Sequence, residues 1–191
     1  MKKILTLVSI LLAFNSTTFA SDEEPMDVYN NMIEKLSGSW SLSSADKQTN
    51  TTGAYKNKAI VHLVGTDKTA IGYKVIGRGT TVQEELFEGT RKEMVTMYHC
   101  NNFSDCTQLR ATHYCAKRNQ PEFLLNTKET TDTKFVFDCN MATELCNSSE
   151  DHVHKIIHEL SNDDKHLKSS YLGWKNQKLN KKNSIYHFDK K

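Results

Sequence analysis

From Trp40 onward apolar residues recur at every second position, and this period of two limits the possible folds more than any other feature of the chain. Ile71, Tyr73 and Val75 alternate with Gly72 and Lys74, as on a strand with one buried face. Comparable segments run near 39–47, 58–66, 69–78, 80–88, 93–100, 107–116, 122–130, 133–139, 151–160, 165–174 and 183–189. Short turn-like connections such as "GTDK", "GRGT", "EGTRK" and "NDDKH" separate many of them. Evenly spaced antiparallel strands with one apolar face predict an all-β fold. The expected form is an up-and-down barrel of about ten strands, or failing that a sandwich. Barrel diameter grows with strand number, so such a barrel has room for a ligand.

One helical stripe precedes the strands. In "SDEEPMDVYNNMIEKLSGSW" acidic residues and Pro25 stand at the start, Met26, Tyr29, Ile33 and Leu36 mark one face, and Gly38 ends the run. Ahead of it, "MKKILTLVSILLAFNSTTFA" reads as a bacterial-type secretory signal. Lys2 and Lys3 form its positive region, Ile4–Phe14 its apolar region, and Thr18 and Ala20 its small-residue cleavage site. A cut after Ala20 is expected, leaving a single periplasmic or secreted domain over residues 21–191. No later stretch approaches the ~18 apolar residues of a membrane helix.

Losing Lys2 and Lys3 takes the basic residues from 25 to 23, against 23 acidic ones. This balance gives no global field toward nucleic acid or an anionic membrane, so neither is an expected partner. The locally basic tail "KNQKLNKKNSIYHFDKK" reads as a solvated face. Nothing in the pattern requires an oligomer beyond a weak dimer.

Five cysteines in an exported chain suggest disulfides. Cys100 with Cys106 and Cys139 with Cys146 are the close pairs, each worth ~2 kcal/mol on the loop-entropy account. Cys115 is left over and reads as a buried, inert thiol. If Cys100 lies opposite Cys106, odd residues face odd residues. Val95, Met97 and His99 then share the inner face with Leu109, Ala111, His113 and Cys115. If Cys139 lies opposite Cys146, Phe135 and Phe137 share a face with His152, His154, Ile156 and His158. A bulge in either loop reverses the parity.

Inward histidines admit two readings. His152 and His154, at i and i+2 on a strand, offer two zinc ligands, and His113 a third. His99 lies six residues along from the partner of His113, roughly 20 Å away, and does not join them. The preferred alternative is neutral histidines hydrogen-bonded within a polar patch of the interior. Enzyme templates are missing: there is no GxSxG elbow, Walker loop, HExxH or GxGxxG. Catalysis is therefore the less favoured class. "QEELFEG" offers Glu84 and Glu85, one of which can turn inward near Phe87 to poise an acid or anchor a ligand. Exposure at the strand end is the preferred expectation for both.

"LSGSW" at 36–40, "MYH" at 97–99, "THYC" with "NQP" at 112–121 and "DHVH" at 151–154 resemble a family of uncharacterised bacterial exported proteins similar to lipocalin (calycin) barrels. The likeness runs from Leu36 to Trp174. "THYC" with "NQP" is its more specific part, since many calycin-like barrels open on LxGxW. The resemblance implies a closed barrel with a central cavity and Trp40 packed across its floor. His99, His113, His152 and His154 fall on the family's recurring positions. The two cysteine pairs look like additions of this branch, stapling loops around the barrel mouth. Lys117 and Arg118 put positive charge on a mouth loop and favour an anionic ligand. Related barrels of the nitrobindin type hold haem through a histidine near the C-terminus, where this chain has His187 but lacks their glycine-rich start.

The expected function is therefore a lipocalin-like binding protein for a small apolar or amphipathic molecule. Trp40, Phe87, Phe135 and Phe137 would supply its surface and His113, His152 and His154 its orientation, with His99 lining the interior from the opposite end to His113. The alternatives are a zinc or iron barrel built on His113, His152 and His154, possible also as an enzyme, and a structural or interaction module with a packed interior.

Overall fold

The computed structural model describes residues 24–44, 53–161 and 163–191. The expected signal over 1–20 and its cleavage site lie outside the described residues. Among the described residues the chain forms one long helix, α1 (Pro25–Leu36), and eleven strands: β1 (Gly38–Leu42), β2 (Thr69–Ile76), β3 (Thr81–Leu86), β4 (Met94–Cys100), β5 (Leu109–Tyr114), β6 (Glu122–Leu125), β7 (Lys134–Cys139), β8 (His152–Ser161), β9 (His166–Lys175), β10 (Lys178–Leu179) and β11 (Ser184–Lys190). A single turn, α2 (Glu144–Asn147), sits between β7 and β8. Every pairing is antiparallel, and β8 closes onto β9. The result is a ten-strand barrel with β10 as an extra strand on the end of β9.

The period of two was a sound guide to ten of the eleven expected strands. The exception is 58–66, which forms turns and a short 3-10 helix at Val61–Leu63. Here Ile60 and Leu63 are the buried residues while Val61 is exposed. Their spacing of three suits a 3-10 turn and leaves one face of a strand without apolar content.

The two ends of the barrel differ. At one, α1 lies across the β2–β3, β4–β5, β6–β7 and β8–β9 connections. Tyr29 donates its hydroxyl to the Gly79 carbonyl and meets Phe103 edge to face, at a centroid distance of 6.3 Å. Asn31 and Lys35 both donate to the Asp132 carbonyl, and Lys35 pairs with Asp164 at 3.7 Å. Beneath this cap Val28, Tyr29, Met32 and Leu36 are buried. Gly38 ends the helix at φ +113°, a conformation that favours a residue without a Cβ. Trp40 is fully buried, and its indole N–H donates to the Leu36 carbonyl at 2.9 Å, fastening the last turn of α1 to the barrel. At the other end the β3–β4, β5–β6, β7–β8 and β9–β11 connections surround an open mouth.

Both disulfides form as paired in the sequence reading, Cys100 with Cys106 and Cys139 with Cys146. They do not share one rim: the first lies in the β4–β5 connection at the capped end, the second at the mouth. Trp40→Phe, which keeps most of the ring and removes the N–H, should cost about 1 kcal/mol in urea denaturation. Trp40→Ala should cost about 3–5 kcal/mol.

Candidate functional site

Strand alternation puts Val82, Glu84 and Leu86 of β3 on the inner face, all of them fully buried. Cross-strand pairing then carries a row around the barrel, Tyr73 opposite Glu84, Glu84 opposite Thr96, and Thr96 opposite His113. From the far wall β8 contributes His158, and β9 contributes Ser169 and Tyr171. Glu84 is the centre of these groups. Tyr98 donates to its Oε2 at 2.8 Å, and Tyr171 and Thr96 donate to Oε1 at 2.7 and 3.2 Å. His158 Nε2 lies 3.1 Å from Oε2 and 2.9 Å from the Tyr98 oxygen. His158 Nδ1 is held by Ser169 Oγ at 2.9 Å, with the Tyr73 hydroxyl at 3.4 Å.

Burial opposes the charge on Glu84. The hydrogen bond and charge of His158, with bonds from Tyr171 and Tyr98, outweigh it and hold the carboxyl at about 2. Burial, and then the negative Glu84, push the Tyr73, Tyr98 and Tyr171 hydroxyls well above their ordinary 10.0. The phenols therefore stay protonated as donors, and Glu84 stays an acceptor. His113 joins through Nδ1, 2.9 Å from Thr96 Oγ1, while its buried Nε2 has no hydrogen-bond partner among the described residues. Burial pushes His113 down to about 4, against the opposing pull of Glu84, so it is neutral near pH 7.

Above this network the barrel opens. Met94, Cys115, Val153 and Tyr171 line a small pocket of about 50 Å³, and Lys92, Lys117 and Lys182 stand on its rim. It leads into a vestibule of about 460 Å³ flanked by Lys56, Lys58, Lys92, Lys117 and Lys182, with Asp151 the one acidic residue in that lining. Lys117 is bonded to Asp151. The Asn180 side chain lies over Gly173, in space that a Cβ there would enter. Cys115 is half-buried, and burial raises its thiol above the ordinary value. Tyr171 joins the two regions, since its ring floors the pocket while its hydroxyl reaches Glu84.

The expected site residues separate into several groups. His113 faces inward as expected. His99 does not: it pairs with Arg110 and Thr81 on the outer face, while Thr96 and Tyr98 point in. The cause is the register, in which Cys100 lies opposite Leu109 and not opposite Cys106. Phe135 and Phe137 do share the inner face with Ile156 and His158. A bulge between Val153 and Lys155 breaks that series, so Val153 takes the place toward the pocket and His152 pairs with Trp174. His152 and His154 are bonded to each other at 2.9 Å, and His154 stacks on Trp174 at 4.3 Å. His113 belongs instead to the Glu84 row, so the expected trio of His113, His152 and His154 is divided between two places.

Trp40, Phe87, Phe135 and Phe137 are fully buried and pack on other side chains. Phe87 meets Tyr186 edge to face at 4.9 Å, and Phe137 meets Tyr98 at 5.0 Å. His187 does not suit a haem held inside the barrel. Its neighbours Tyr186 and Phe188 are the buried residues of β11, and His187 bonds to His166 at 3.0 Å on the outer side. Glu84, expected to be exposed, is the main correction. The sequence carried a signal for it, because apolar Val82 and Leu86 flank it at two-residue spacing.

Compared with protein-family models, curated proteins and solved structures, the chain matches none.

Glu84→Leu, which leaves three phenols and His158 facing an apolar group, should lower stability by about 3–5 kcal/mol. Glu85→Leu, on the outer series, should cost under about 1 kcal/mol in the same urea denaturation. His113 gives a pH signature. Its folded value near 4 lies below the ordinary 6.5, so the unfolded chain binds the proton first and stability falls as pH drops from 6.5 to 4. The loss should reach about 3 kcal/mol. His113→Gln should flatten that window in thermal melts taken across it.

Proposed function

We propose that the chain is an exported lipocalin-like binding protein whose ligand is a small amphipathic anion held at the open mouth. The observation that carries this reading is the lysine-flanked vestibule set above a small pocket walled in part by Met94, Cys115, Val153 and the Tyr171 ring. Opposite charge is favoured there, and Met94, Val153 and the Tyr171 ring provide apolar contact below it. The larger aromatics are packed on one another, which argues for a ligand seated at the mouth and against one buried between Phe87, Phe135 and Phe137. The two disulfides fit an oxidising compartment. Among the described residues no helix is long and apolar enough to cross a membrane. Both oxygens of Glu84 are occupied by Thr96, Tyr98, Tyr171 and His158, which suits a structural brace better than a proton-transfer site.

Calorimetric titration with octanoate and with octanol tests the reading. Octanoate should bind one to one and at least about tenfold more tightly than octanol, and added salt should narrow the difference. Lys92→Ala combined with Lys182→Ala should weaken octanoate by about tenfold or more and leave thermal stability unchanged. Equal affinity for the two probes, or no effect of the lysine changes, would remove the anionic mouth as the binding site.

A further inference from the structure

The two histidines that the bulge removes from the barrel interior stand against the second disulfide. A nitrogen of His152, a nitrogen of His154 and Cys139 Sγ all lie within 4.8 Å of one another. Cys146 Sγ is bonded to Cys139, so a second sulfur lies one bond away from this group of three. Tetrahedral zinc with such ligands needs donor separations of about 3.3–3.8 Å, so the imidazoles bonded at 2.9 Å must part slightly and the sulfurs draw in, both by side-chain rotation.

The orientation of His152 is a second, independent observation. Its Nδ1 lies 2.8 Å from the Glu150 carbonyl, which can only accept, so Nδ1 carries the proton. Nε2 is then the lone-pair nitrogen and accepts from His154 Nδ1, so a metal that replaces this bond requires the His154 proton to move to its own Nε2. Metal-bound histidines are characteristically fixed in this way, by a backbone carbonyl on the nitrogen that does not coordinate. His152 is fully buried, and His154 is held by its stacking on Trp174 at an interplanar angle of 14°. Both rings are thus positioned before any ion arrives.

The geometry points to a redox-gated zinc site formed by Cys139, Cys146, His152 and His154, closed to metal while the disulfide is intact and opened by its reduction. A dithiol reductant would supply two electrons and two protons, breaking the sulfur–sulfur bond to two thiols while itself closing to a cyclic disulfide. Zinc then displaces one proton from each thiol and takes two thiolates and two neutral imidazoles, releasing two protons in all. Oxidation by a disulfide of the same class reverses the step and expels the ion. The site shares no residue with the lysine-flanked vestibule or the pocket below it, and it stands whether or not an anion binds there.

The test is titration of Co²⁺, then Zn²⁺, into the full chain before and after dithiol reduction, in a Cys100→Ser, Cys106→Ser, Cys115→Ser background. The reduced protein should bind one ion at least about a hundredfold more tightly than the oxidised one. Cobalt should show tetrahedral visible bands with thiolate charge transfer, and zinc should displace it. His152→Ala with His154→Ala should abolish the tetrahedral spectrum. Equal affinity in the two redox states would overturn the proposal, as would a tetrahedral spectrum surviving loss of both histidines. Should reduction unfold the chain, Zn²⁺ added with the reductant must preserve its circular dichroism; failure to do so overturns the proposal equally.

Discussion

The rest of the barrel is organised around a carboxylate held in its centre. Glu84 is carried by β3, and its bonds reach Thr96 and Tyr98 on β4, His158 on β8 and Tyr171 on β9. Those strands lie on different sides of the closed sheet, so one side chain ties walls that no backbone ladder joins directly. Taking a carboxylate out of water is costly, and an ion pair there need not raise net stability over an apolar core. What it confers is register. A slip of one residue along β3 would present Gln83 or Glu85 to the same donors and turn Val82 and Leu86 outward.

The network also accounts for the difference between the two ends. Below it the interior is sealed by Trp40, the α1 cap and the paired aromatics. Above it Tyr171, Met94 and Val153 form the buried floor of the mouth, and the space beyond is bounded largely by cationic side chains. The brace keeps the floor of the mouth fixed while the surrounding loops remain free to differ in chemistry. Rigid strands below and variable loops above are the usual division of labour in binding barrels.

The strand pattern made the architecture legible, because a period of two is a local property and persists through errors in pairing. Which residues face inward was harder to read, since facing depends on register and register on loop geometry. Assuming that Cys100 lies opposite Cys106 inverted β4 and placed His99 inside, whereas the disulfide bridges a loop with its own bends. The parallel assumption at Cys139 and Cys146 placed Phe135, Phe137, Ile156 and His158 correctly, then failed at the bulge beyond Val153. Glu84 was misjudged for a different reason. A charged residue between polar Gln83 and Glu85 reads as exposed, and only distant Tyr98, His158 and Tyr171 make its burial tolerable. The lysine mouth was anticipated through Lys117, but Lys56 and Lys58 come from the β1–β2 connection, Lys92 from β3–β4 and Lys182 from β9–β11, and only the closed barrel brings them together.

The central claim is that Glu84 is an ionised acceptor inside the protein, and NMR titration of its side-chain carboxyl carbon in ¹³C-labelled protein addresses it directly. The account predicts a resonance that keeps its carboxylate shift down through pH 4 and moves only as the pH nears about 2 or the fold is lost. A carboxyl that titrates at or above the ordinary 4.5 while the protein remains folded would contradict it.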